Sequence, residues 1–183
     1  MKRLCRKLRQ RHGLTLTEML ATVLILILAV SIAATGIPAA KAAYDRSVDA
    51  ANAQALLSMT VTELRKELGL ASGVAIGDTG TEITYTSGTN GGENRILILK
   101  DEDGLERICI QEMRELRNDD DSAVLAPRPL VSIGSDDKTR KLHVVFQQGS
   151  YSDGVFTIRN LQVLKDTQVL AKLDALTIRT INK

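Results

Sequence analysis

The sequence predicts an α+β protein: a long N-terminal α-helix, membrane-spanning in its first half, packed through its second half on an antiparallel β-sheet. Three observations predict it. An uncharged stretch, residues 19–40, lies directly behind a purely basic N-terminus. An amphipathic helical pattern then runs to Leu68 and stops at Gly69. Beyond Ala71 the apolar residues recur every second position between turn-forming clusters, the spacing of strands.

Residues 1–13 form the first segment. They hold Lys2, Arg3, Arg6, Lys7, Arg9 and Arg11 and no acid. Removing them leaves 18 of the 24 basic residues against all 22 acidic ones, a net charge of −4 in place of +2. The basic character therefore belongs to this segment, and the composition does not indicate nucleic-acid binding by the downstream domain.

Residues 14–36 form the second segment. Residues 20–34 are almost continuously aliphatic, and at ~1.5 Å rise per residue about 20 such residues cross a hydrocarbon core of ~30 Å. Six cations lie upstream and only Lys41 just downstream, a bias that keeps the N-terminus in the cytoplasm and sends the rest outward. A buried core helix would not carry a basic block on one flank. A conventional cleaved signal peptide is the stronger rival, since small residues at 39–43 offer a cleavage site. Against it stand the length of the apolar run and the carboxylate at its start, Glu18. A carboxylate at the bilayer centre costs ~2.5–3.5 kcal/mol, less near the interface. Glu18 either pairs with an amine or snorkels to the headgroups, and the helical pattern alone does not choose between them.

The hexapeptide Gly13-Leu14-Thr15-Leu16-Thr17-Glu18, behind a basic leader and ahead of an aliphatic helix, resembles the N-terminus of type IV prepilins and pseudopilins. Leu14 replaces the commoner Phe at the first mature position, and Thr17 stands where an aliphatic is usual. The resemblance implies cleavage between Gly13 and Leu14 by a prepilin peptidase and N-methylation of Leu14. It also implies that Glu18 neutralises the N-terminal amine of an adjoining subunit during assembly. The implied partners are further copies of the chain or other pilins in a helical filament, the prepilin peptidase, and the bilayer. The implied location is the bacterial cytoplasmic membrane, N-terminus in and C-terminus out, and then a cell-surface or periplasmic filament. Many major pilins carry a C-terminal cysteine pair; here Cys109 is the only cysteine outside the leader, which leans toward a minor pilin or pseudopilin.

Gly36 and Pro38 predict a helix break, a kink or local melting near residues 34–38, because proline removes an amide donor and clashes with the preceding turn; the alternative is a loop between anchor and domain. Residues 37–69 then read as an amphipathic helix entering the domain, with Tyr44, Val48, Ala51 and Ala55 and then Leu57, Val61, Leu64 and Leu68 at helical spacing. Gly69, after Arg65 and Lys66, marks the C-cap. Residues 70–183 form the β-rich extracytoplasmic domain. Strands are expected over 82–86, 95–100, 105–111, 142–147, 155–163, 169–173 and 176–181, with a hairpin turn at 101–104. Pro127 and Pro129 predict a loop or an edge crossing. The last strands look like the C-terminal sheet of many pilin-like proteins.

No catalytic constellation can be assembled from this sequence. His12 belongs to the leader and His143 stands alone in an alternating run. There is no Cys/His metal spacing and no phosphate-binding glycine loop. Residues 118–121 and 136–137 offer carboxylates to Ca²⁺, but without an EF-hand pattern they read as solvated turns. Cys109 reads as a small thiol packed in or beside a sheet. The expectation is a non-enzymatic structural subunit with no cofactor and no metal. The alternative is a secreted or membrane-anchored binding domain behind an ordinary signal or anchor.

Overall fold

The computed structural model describes residues 15–89, 91–101, 104–114, 123–124, 126–132 and 141–181. They form one helix and ten strands, an α+β arrangement. By contacts the chain divides into two units, Met1–Arg46 and Ser47–Lys183.

Helix α1 runs Leu16–Gly69. In the first unit every side chain from Thr15 to Tyr44 is exposed, the aliphatic ones included. The break expected at Gly36 and Pro38 is not a break in secondary structure, because helical assignment continues through both. Pro38 deprives only the Ala34 carbonyl of its donor, and the remaining i→i−4 bonds carry the helix across. Nearby, the Thr35 hydroxyl bonds the carbonyls of Ser31 (3.1 Å) and Ile32 (3.3 Å). Serine and threonine side chains of this kind help apolar helices tolerate a proline.

In the second unit, α1 buries Ala53, Leu56, Thr60, Leu64 and Leu68, successive positions three or four apart that share one face. Of the stripe expected from sequence, Leu64 and Leu68 are buried and Leu57 and Val61 half-buried, whereas Ala51 and Ala55 stay exposed. Thr60 is tolerated inside because its hydroxyl donates to the Leu56 carbonyl at 2.8 Å. On the polar flank Asp49 pairs with Lys165 of the second sheet.

Gly69 is the last helical residue but does not adopt the left-handed conformation of a glycine cap. The helix end is closed from far along the chain instead. The Ile181 amide donates to the Gly69 carbonyl at 2.9 Å, satisfying one of the acceptors that a helix leaves bare.

A single sheet was expected; the described residues form two, both antiparallel. The first is a meander of β1 (Ser72–Ile76), β2 (Ile83–Thr86), β3 (Glu93–Lys100) and β4 (Glu106–Arg114). The expected hairpin joins β3 to β4, with Lys100 opposite Glu106 and Gly104 at positive φ. Short strands β5 (Ala123–Val124) and β6 (Arg128–Pro129) also pair with β4, so Pro129 sits at the sheet edge, where a missing N–H is tolerated.

The second sheet holds β7 (Leu142–Val145), β8 (Gln148–Ser152), β9 (Val155–Lys165) and β10 (Gln168–Arg179). β7 and β8 lie end to end along one side of β9, and β10 lies along the other. The face turned inward changes parity at one level across the sheet. Leu142, Val144 and Phe146 are buried before that level and Gly149 after it; on β9 the buried residues are Phe156 and Ile158, then Leu161 and Val163. On β10, Leu173 packs against the core and the next inward residue is Leu176. At that level Asn160 has φ 53° and its amide donates to the Gln147 side chain at 2.7 Å. The change of face occurs without a break in pairing, since Leu173 stays opposite Leu161 and Ala175 opposite Arg159.

The inward residues of both sheets and of α1 form one core, aliphatic except for Tyr85, Phe146 and Phe156. The Gly149 amide donates to the Gly80 carbonyl at 2.6 Å, which joins the two sheets directly.

Candidate functional site

The sequence points to the start of α1. Gly13 and Leu14 lie outside the described residues; Glu18 lies in the first helical turn with its side chain exposed. Thr15 caps the helix. Its hydroxyl oxygen accepts from the Glu18 amide at 3.3 Å, and its carbonyl accepts from the Glu18 and Met19 amides at 3.0 and 3.1 Å. The Thr15 hydroxyl also lies 3.1 Å from that of Thr17. Thr15 and Glu18 have the spacing of a capping box, a signature present in the sequence that reading Glu18 only against the membrane overlooks.

The cap fixes what Glu18 can do. Its backbone amide is occupied by Thr15, while its carboxylate sits where the positive end of the helix macrodipole favours a negative charge. A carboxylate so placed can accept from a cation outside its own helix. The following residues make α1 long and apolar enough to cross a membrane once, and the apolar window is wholly unburied within the chain. Met59, further along, is exposed as well, but as a single residue on a polar face.

Within the second unit Tyr85, Glu67, Arg128 and Glu112 are engaged structurally. Tyr85 is fully buried, and its hydroxyl donates to a Glu67 carboxylate oxygen at 3.1 Å. Burial first, and then the Glu67 charge, push its phenol well above the ordinary value of 10.0. A folded-state acidity weaker than the unfolded one means that the folded protein holds this proton longer as pH rises. The stabilisation is complete below pH 10 and is lost progressively above it, as the unfolded phenol ionises first. Tyr85→Phe is therefore expected to flatten the alkaline fall in stability above pH 10, measured by urea denaturation across that range.

Arg128 pairs with Glu112 at 3.2 Å beside an open cleft of about 280 Å³ lined by Ile110, Glu112, Ala126 and Arg128. A second cavity, about 20 Å³ between Leu56, Thr60, Ile108, Leu130 and Val144, has room for roughly one water. His143 is buried in β7, its Nδ1 3.5 Å from the Lys141 carbonyl, in a strand setting as expected. Cys109 is buried in β4, and burial, followed by the Asp101 charge, raises its thiol above 9.0, so the packed-thiol reading holds. No group of three or more metal-ligating side chains occurs among the described residues, and the acidic stretches 118–121 and 136–137 lie outside them.

No family model, curated protein or solved structure matches the chain.

Proposed function

We propose that the chain is a non-enzymatic structural subunit, a minor pilin or pseudopilin, of a type IV pilus or a related secretion or DNA-uptake filament. In this reading a prepilin peptidase cuts between Gly13 and Leu14, Leu14 is N-methylated, and residues 14–36 hold the subunit in the cytoplasmic membrane until assembly. The domain then faces outward, and its partners are other subunits of the filament.

The observation that carries the reading is one of register. Gly13, Leu14 and Glu18 stand in the spacing of the prepilin motif, at the head of an apolar helix whose side chains are exposed from Thr15 to Tyr44. Such a surface needs lipid or other helices around it, since water solvates it poorly. Cutting after Gly13 creates a charged amine four residues before Glu18 in the sequence. The capped first turn leaves the Glu18 carboxylate available to such an amine on a neighbouring subunit. Docking would relieve its poor solvation in the bilayer and set the axial register.

Intact mass and N-terminal sequencing of the membrane-extracted protein test the proposal. The expected mature chain begins at Leu14 and carries one extra methyl group. A start near Ala43, or an intact Met1, overturns it in favour of an ordinary signal or anchor ahead of a binding domain. Glu18→Ala is expected to be processed normally yet to enter filaments at least about tenfold less, as for loss of one charged hydrogen bond of about 1.5–3 kcal/mol.

A further inference from the structure

The second sheet ends on its longest strand. β10 spans 12 residues and, among the described residues, has β9 as its one strand partner, which leaves backbone donors and acceptors along its outer edge without a ladder. The first strand of the other sheet is blunted by comparison: β1 is short, has Gly73 at positive φ, and loses register between Ser72 and Ala75. On β10 the register with β9 is unbroken from Ala171 to Arg179.

Charges on an edge strand commonly guard it against pairing, and β10 carries Lys172, Asp174 and Arg179. Their arrangement does not guard against a second copy of the same strand. Lys172 and Asp174 flank Leu173 symmetrically and form an exposed ion pair at 2.7 Å, with side chains 46% and 84% exposed. An antiparallel partner centred on Leu173 sets Lys172 opposite the second copy's Asp174, and Asp174 opposite its Lys172. The same register carries Arg179 to the second copy's Thr167, beside Asp166 in the exposed turn between β9 and β10. The charges at the centre then meet their opposites, and Arg179 at each end faces a neutral residue next to an acidic one. Sliding the register by two residues sets Lys172 against Lys172 or Asp174 against Asp174.

We propose that the β10 edge is a self-recognition surface, through which two copies of this chain pair as antiparallel strands about Leu173 and form one continuous sheet. The contact is isologous, each residue meeting its mate twice. It is separate from the filament reading and does not rest on it, because a two-fold contact closes a pair and cannot propagate a helix.

The test uses the full chain in membranes, with Cys5→Ser to remove the leader thiol and Cys109 left in the core. Lys172→Cys and Asp174→Cys variants, separately tagged and co-expressed, are oxidised with copper phenanthroline. The mixed disulfide, joining position 172 of one copy to position 174 of the other, is expected at about fivefold or more over either variant linked to itself, because directly opposed positions reach disulfide distance and offset ones do not. In detergent, Lys172→Asp is expected to lower the dimer association constant about tenfold, since it opposes like charges at two symmetric places. Adding Asp174→Lys to the same chain is expected to restore it. A mixed disulfide no more abundant than the self-linked forms overturns the proposal, as does a dimer indifferent to Lys172→Asp.

Discussion

Leu64→Ala is expected to destabilise the second unit by about 2–5 kcal/mol, the range for deleting a buried leucine and leaving a partly uncollapsed cavity. Leu64 is fully buried on α1 and belongs to the core that the helix shares with both sheets. The sheets are fixed by their ladders and by the Gly149–Gly80 bond, which limits how far they can follow a shrinking side chain. Two neighbours calibrate the effect. Leu57→Ala, at a half-buried position, is expected to cost less than Leu64→Ala, and Met59→Ala, 57% exposed, to change stability by no more than about 0.5 kcal/mol. Urea denaturation of the full chain in detergent, followed by circular dichroism, measures all three. Equal losses at 59 and 64 would mean that the helix does not use this face.

Gly88→Ala is the second large effect. A Cβ built at Gly88 overlaps the Leu70 carbonyl oxygen and lies 2.9 Å from the Leu70 Cβ, against backbone that cannot rotate away. The turn after β2 thus fits directly against the chain leaving α1. Forced overpacking of this kind costs about 1–3 kcal/mol, and Gly88→Val is expected to cost more than the alanine. Gly69→Ala is the contrast, because nothing lies within 4 Å of its Cβ position and its backbone is helical. There the substitution is expected to be neutral or stabilising by up to about 1 kcal/mol. The same denaturation series decides whether the penalty belongs to the Gly88 contact or to glycine loss in general.

Where one physical cause dominated, the sequence was readable. The apolar span and its basic flank, the helix reaching Gly69, and the β2–β3–β4 meander with its Asp101–Leu105 bond follow from hydropathy, periodicity and turn chemistry. The second sheet was harder because its inward face changes parity. The shift between Leu173 and Leu176 reads in sequence as the end of one strand and the start of another, yet β10 is continuous. β8, with Gln148, Gly149 and Ser150, has little strand propensity and is held by pairing with β9 and by the Gly80 carbonyl. At Pro38 the helical assignment continues where melting or a loop was one expectation, since one missing donor does not end a helix whose other bonds persist. At the candidate site Glu18 was found through its cost in a bilayer, whereas its partnership with Thr15 lay in a plain four-residue spacing.

The bond from Ile181 to Gly69 also contrasts with the rest of the domain in how far along the chain it reaches. α1 and the first meander are neighbours along the chain and close over short loops, which is fast. The Gly69 carbonyl finds its donor only just past the end of β10, so the seam joins the first and last elements of the domain across more than a hundred residues of chain. Residues 176–181 thus act as a clasp that ties the last strand of the domain back to the end of its helix.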